Sequence, residues 1–222
     1  QWVRALTVVF SNGQLVRVRR GEYISQNGVL KVPHIGTITV PALVQQHRKS
    51  NAGYYLTREL DLIDLLIGSE GTLGIILEVE VRLIPEPTGT LAQFLYFKDD
   101  EALLAFTTKV RTAREIKPVA LEYFDEHTLT LLRKKRNDDG IASNIPAIPA
   151  QAQVALYIET LFDNDTVLEH QYEYFEKTLL SVNSSLDLSW AGTEEREIDT
   201  MRTVRHAVPE TVNAITAAKQ KK

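Results

Sequence analysis

Three glycines stand at equal spacing in Ile67-Gly68-Ser69-Glu70-Gly71-Thr72-Leu73-Gly74-Ile75-Ile76, between an apolar helix-like run and an apolar strand-like run. Glycine has no Cβ, so the backbone there can take positive φ and approach another group closely. Successive N–H groups exposed by such a turn form a concavity suited to an anion or a cofactor. On spacing alone, a plain helix-to-strand turn is the competing reading. The pattern is G-x-x-G-x-x-G, which departs from the G-x-G-x-x-G of dinucleotide folds and lacks the Lys-Ser/Thr ending of a P-loop. Gly68-Ser69-Glu70-Gly71 is not the G-x-S-x-G of a serine hydrolase. Asp61 and Asp64 lie just upstream on one face of a short helix. Paired carboxylates can do acid–base work, but a solvated helix face is the simpler expectation.

The totals narrow the classes. The chain has 222 residues, 44% hydrophobic and 24% charged, which is the composition of a globular protein with one large or two small domains. A net charge of −4 argues against a nucleic-acid surface. With no cysteine, disulfides, thiolate metal sites and cysteine-ligated clusters are excluded. No apolar run is long enough to span a membrane, and a cytoplasmic location is the default expectation. His34 and His47 have no second ligand at metal spacing and read as surface histidines.

The positioning elements follow from periodicity. Val3–Phe10 and Leu15–Arg19 read as strands joined at Asn12-Gly13, a strong hairpin signal. Residues 22–50 are broken by Gly28, Pro33, Gly36 and Pro41 and read as a long loop or short strands. Asp61–Ile67 reads as a short helix. From Leu73 to Ile84 the residues alternate, Ile75, Leu77, Val79, Val81 and Leu83 against Glu78, Glu80 and Arg82, which predicts a half-buried strand. Pro85-Glu86-Pro87-Thr88-Gly89 stops it, placing a domain boundary at 88, with domains over 1–88 and 89–222.

Beyond that boundary strands and helices alternate. Strands are expected at Leu91–Phe97, Val119–Phe124, Val154–Thr160 and Leu186–Trp190. Helices are expected at Asp99–Glu115, Asp125–Arg136, Asp163–Ser181 (capped by Asp163) and Glu194–Ala218, kinked at Pro209. This predicts an α+β fold, a sheet with helices on one face. Arg133-Lys134-Lys135-Arg136 at a helix end complements the helix dipole.

In order and spacing, Asn51-Ala52-Gly53-Tyr54, Asp61–Gly68, Ser69–Ile76 and the strand ending Arg82-Leu83-Ile84-Pro85 resemble the second half of the FAD-binding domain of FAD-linked oxidases, the vanillyl-alcohol-oxidase-type flavoproteins. The branch most resembled holds D-lactate dehydrogenases and glycolate oxidase flavoprotein subunits. The resemblance implies a ferredoxin-like cap domain over the second half. It also implies a piece of a longer chain, without the glycine-rich pyrophosphate loop of the first half of the FAD domain and without the C-terminal catalytic end.

From that resemblance, Asn51, Gly53, Tyr54, Ser69, Glu70, Gly71, Gly74, Ile75 and Ile76 are candidates for binding FAD. In Met201-Arg202-Thr203-Val204-Arg205-His206-Ala207-Val208-Pro209-Glu210, Arg205 is implied as the anchor of a substrate carboxylate, ahead of Arg202, and His206 as the proton acceptor. Guanidinium forks onto a carboxylate and imidazole titrates near neutrality. A surface ion pair with Glu194, Glu195 or Glu197 is the competing reading for both arginines. No metal site is expected, because the family's metal-binding histidines lie further toward the C-terminus. The complete protein would oxidise a small D-2-hydroxy acid such as lactate or glycolate, passing hydride to flavin N5 and then electrons to a quinone, a partner protein or oxygen. Association with a membrane would be through a partner. The alternatives are a non-catalytic binding or regulatory module, and a short subunit that no longer binds FAD.

Overall fold

The computed structural model describes residues 2–41, 53–140 and 143–220. Its contacts divide the chain into two units, Gln1–Pro85 and Glu86–Lys222.

In the first unit, β1 (Val3–Phe10) pairs antiparallel with β2 (Leu15–Arg19) through the Asn12-Gly13 turn. Gly13 takes φ +77°, and the Asn12 side chain accepts from the Gln14 N–H at 3.0 Å. A second hairpin, β3 (Val29–Val32) and β4 (Gly36–Thr39), fills part of the 22–50 stretch, so short strands rather than an unbroken loop occupy it. The short helix α1 (Leu62–Leu66) is capped by Asp61 and followed by β5 (Gly74–Val81), which pairs antiparallel with β1. The sheet order is β2-β1-β5. Leu6, Val8 and Val18 of the sheet, Leu30 and Val32 of the hairpin, and Leu60, Leu62, Ile63 and Leu66 form the core.

Two expectations are corrected here. Asp61 and Asp64 are not a solvated face. Asp64 takes two hydrogen bonds from the Arg20 guanidinium at 2.8 and 3.0 Å, and Asp61 accepts from the Gly21 N–H while capping α1. These carboxylates hold β2 to α1 and are committed to structure. The second correction concerns β5, which is not half-buried: Ile75, Leu77, Val79 and Val81 remain 65, 58, 52 and 48% exposed. The reason is that α1 packs against β1 and β2, at the other side of the sheet order from the edge strand β5. A register shift opposite Thr7 and Val8 also breaks the alternation, pairing Ile76 with Val8 but Glu78 with Thr7.

The second unit runs β6 (Gly89–Phe97), α2 (Asp100–Thr112), β7 (Pro118–Phe124), α3 (Glu126–Asp139), β8 (Val154–Phe162), α4 (Asp165–Leu180), β9 (Trp190–Gly192) and α5 (Glu195–Gln220). Neighbouring strands are antiparallel in the order β7-β8-β6-β9. This is a ferredoxin-like arrangement with α3 added between its second and third strands. Asp99, Asp125 and Asn164 cap α2, α3 and α4. The α4 cap is therefore Asn164 rather than Asp163. The expected strand at Leu186–Trp190 is a 3-10 turn over Leu186–Leu188 followed by β9, and α5 continues through Pro209.

Helices cover both faces of this sheet, not one. Leu91, Leu95 and Phe97 of β6 meet Phe106 and Val110 of α2 and Phe175 and Leu179 of α4. The alternate residues Ala92, Phe94 and Tyr96 meet Leu129 and Leu132 of α3 and Ile198, Met201 and Val204 of α5. Both faces of β6 and β8 are thus buried, which is why both read as near-continuous apolar runs. The basic cluster is also structural: Arg133 donates to the carbonyls of Pro149 and Ala152, and Arg136 to that of Ile145, pinning the loop that leads into β8.

Candidate functional site

The glycine turn of the first unit is a backbone device. Gly68, Glu70 and Gly71 all have positive φ, at +76°, +51° and +78°. The chain leaves α1 through a Ser69 N–H to Leu66 carbonyl bond. It then closes on the Ser69 carbonyl, which accepts from both the N–H and the hydroxyl of Thr72. Ser69 is buried and orders the turn. Among the described residues, the N–H groups of Glu70 and Gly71 have no backbone or side-chain acceptor, so this stretch carries spare donors. Gly74 serves a different purpose: a Cβ there would lie 2.8 Å from both the Val8 side chain and the Val9 carbonyl oxygen, so β5 reaches β1 only as glycine. Tyr54 joins its hydroxyl to that of Thr72 at 2.8 Å, and Gly53 beside it has φ +75°. The exposed side chains of Ile75 and Ile76 follow directly. Gly53, Tyr54, Ser69, Glu70, Gly71, Gly74, Ile75 and Ile76 are thus gathered around one turn. Asn51 and His47 lie outside the described residues.

The second candidate is a side-chain device on the sheet face beneath α5. Arg202 and Arg205, one helical turn apart, both reach down to the sheet. Arg202 donates through Nε and Nη2 to the two oxygens of Glu159 on β8, both at 3.0 Å. Tyr157, two residues back on the same face of β8, donates its hydroxyl to the same carboxylate. The Glu159 side chain is 8% exposed. Its hydrogen bonds from Arg202 outweigh burial and hold its carboxyl below the usual carboxylate range, while burial pushes the Tyr157 hydroxyl up. The Arg202 guanidinium is raised by the same pair.

Arg205 pairs with a different glutamate. Its Nε donates to Glu122 Oε2 at 2.7 Å, its Nη2 stands 2.6 Å from Oε1 as an ion pair, and its guanidinium carbon stands 6.0 Å from the Tyr157 ring centre. Here both side chains are about a third exposed, at 31 and 37%. The competing reading, an ion pair with Glu194, Glu195 or Glu197, does not hold: strand residues Glu159 and Glu122 make the short pairs, with Asp199 of α5 a further 3.8 Å contact to Arg202. His206 follows Arg205 on α5. A helix turns about 100° per residue, and the imidazole lies on the exposed side.

Glu122, Tyr157 and Glu159 escaped the sequence reading. A signal exists for both acids: each is the lone charge in an apolar strand, in Pro118-Val-Ala-Leu-Glu-Tyr-Phe124 and in Val154-Ala-Leu-Tyr-Ile-Glu-Thr160. Buried charges are kept only where they are paired. Among the described residues no cluster of His, Asp and Glu is arranged to hold a metal ion, and no helix is long and apolar enough to cross a membrane.

No known family profile matches the chain. It is 30% identical over 147 residues to the glycolate oxidase subunit GlcD of Bacillus subtilis, covering 66% of this chain and 28% of that protein. It is 25% identical over 217 residues to a D-lactate dehydrogenase of Anaerostipes hadrus, covering 97% of this chain and 38% of that protein. A further relative, an uncharacterized FAD-linked oxidoreductase of Mycobacterium tuberculosis, is 35% identical over 77 residues, which is 35% of this chain and 17% of that protein. The chain therefore spans well under half the length of the curated relatives it matches.

Proposed function

We propose, from its similarity to FAD-linked oxidases, that this chain forms part of an FAD-dependent oxidoreductase acting on a small D-2-hydroxy acid. The first unit would contribute one wall of the cofactor site and the second the substrate anchor.

The turn fits such a cofactor. Its spare N–H groups at Glu70 and Gly71 suit phosphate or carbonyl oxygens, and the exposed side chain of Ile75 offers an apolar surface to a flat ring. When bound, FAD supplies the acceptor for the hydride. What this chain adds is position. Arg205 holds a carboxylate by its forked N–H groups, with the Tyr157 ring beside the guanidinium and Glu159 fixing the Tyr157 hydroxyl. His206 is the residue assigned to take the hydroxyl proton. Electrons leave to a quinone, a partner protein or oxygen.

The observation that carries this reading is the state of Arg205. Glu122 takes up its Nε–Nη2 side, and among the described residues the outer edge of the guanidinium has no partner. That edge can accept a small carboxylate. The test is oxidation of D-lactate and glycolate by the intact protein, followed with a redox dye and a visible spectrum. Flavin bands with turnover, and a KM raised at least about tenfold by Arg205→Lys, are expected, since a point-charge ammonium does not replace a fork. A preparation with neither flavin nor turnover would leave the non-catalytic module in its place.

A further inference from the structure

We propose that Glu122 is a specificity residue for that anchor, an internal carboxylate that weakens the binding of anions at Arg205 and discriminates against dianions. The proposal rests on the reading of Arg205 given above.

The two arginine–glutamate pairs on α5 join the same residue types, yet their surroundings differ. Glu159 is enclosed, carries a third hydrogen bond from Tyr157, and is committed to Arg202. Glu122 has only Arg205 as a side-chain partner among the described residues, and more than a third of its side chain faces solvent. A pair open to water is weak, because solvent screens both ions and can solvate either alone. Such a pair can be reorganised by an arriving ligand, and the buried pair cannot without stranding a charge.

A ligand carboxylate on the outer edge of Arg205 would share one guanidinium with Glu122. The two anions would stand on neighbouring edges of the same planar group, and like charges at that range repel. The native arrangement therefore lowers affinity for every anion. A ligand with one carboxylate meets that repulsion once and can turn its neutral hydroxyl end toward the glutamate. A ligand with two carboxylates cannot keep both clear of it. The geometry thus selects short monocarboxylates over dicarboxylates of similar size.

The experiment is calorimetric binding of D-lactate and of oxalate, a dianion near neutral pH, to the holoprotein and its variants. Glu122→Gln keeps the shape and removes the charge. It should tighten D-lactate by about two- to fivefold, the range expected for releasing one exposed ion pair, and tighten oxalate more than D-lactate. In turnover the change should appear in KM with kcat little altered. Unchanged or weaker binding in Glu122→Gln, with an unchanged melting temperature, would overturn the proposal, weaker binding meaning that Glu122 merely holds Arg205 in place. If Glu122→Gln melts early, Glu122→Ala is read in the same way. Arg205→Ala separates the two ideas: undiminished binding of both probes in that variant would sink Arg205 as the anchor, whatever Glu122 does.

Discussion

The turn of the first unit and the α5 face of the second are built on opposite principles. In the turn, the groups that matter are backbone N–H donors, aimed by local φ values at Gly68, Glu70 and Gly71. On the α5 face they are side chains, aimed by partners 43 and 83 residues away: Glu159 for Arg202 and Glu122 for Arg205. A backbone site is specified where it stands. A side-chain site is specified by strands that the chain lays down far from the residue in question. Substitutions should therefore fail differently in the two regions, by strain in the first and by stranded charge in the second.

The largest effect is expected on the α5 face. Arg202→Met leaves Glu159 largely enclosed with only Tyr157 as a donor. Removing one partner of a buried pair costs more than the pair contributes, because the remaining charge loses both water and partner. Arg202 itself is 43% exposed, so water softens the loss, and about 2–3 kcal/mol is expected in urea unfolding. Arg205→Met should cost less than about 1 kcal/mol, as exposed pairs do. Equal losses would erase the distinction between the two pairs.

The pH dependence of the same pair has a definite sign. The Glu159 carboxyl is held below its ordinary value of 4.5 by the Arg202 hydrogen bonds. A depressed carboxyl contributes stability that is present above the unfolded value and lost as pH falls through the folded one. The native protein should therefore lose stability more steeply than Arg202→Met as pH is lowered below about 4.5. Parallel melting curves over that window would show that the pair contributes nothing.

In the turn the expected losses come from shape. Gly74→Ala places a methyl 2.8 Å from the Val9 carbonyl oxygen, which is backbone and cannot swing aside. Overpacking of this kind costs about 1–3 kcal/mol and should appear as faster amide exchange in β1 and β5. Gly71→Ala meets no atom within 4 Å, and only its φ of +78° opposes it, so about 1 kcal/mol is expected. If Gly71→Ala proved the more damaging, the turn would be a packed joint rather than an open concavity.

These differences also decide what could be read before the structure. The Asn12-Gly13 hairpin and the helices of the second unit follow from local patterns, as does the turn at Gly68–Gly74. The alternation in β5 was legible and still misled. Period two says that a strand has two faces, but not whether anything lies against one, and the slip opposite Thr7 and Val8 is invisible in one strand alone. The second layer of helices was missed for a related reason. Alternate residues of β6 point to opposite faces, and the near-continuous apolar run Leu91–Phe97, broken only by Gln93, is the sign that both are covered. The partners of Arg202 and Arg205 are not legible from the helix, because helix spacing suggests helix neighbours while the acids of the short pairs come from β7 and β8.

His206 gives the smallest expected change and the sharpest division between structure and chemistry. Its side chain is exposed, and no hydrogen bond to it is found among the described residues, so His206→Ala should alter stability by less than about 0.5 kcal/mol. Any loss of turnover in the intact protein then cannot be traced to misfolding. If the imidazole takes the hydroxyl proton, the variant should lose most of kcat while KM for D-lactate stays near the native value, because the proposed anchor is Arg205. A variant that turns over at the native rate would show that the proton leaves by another route. The α5 face would then hold and select the carboxylate without taking part in proton transfer.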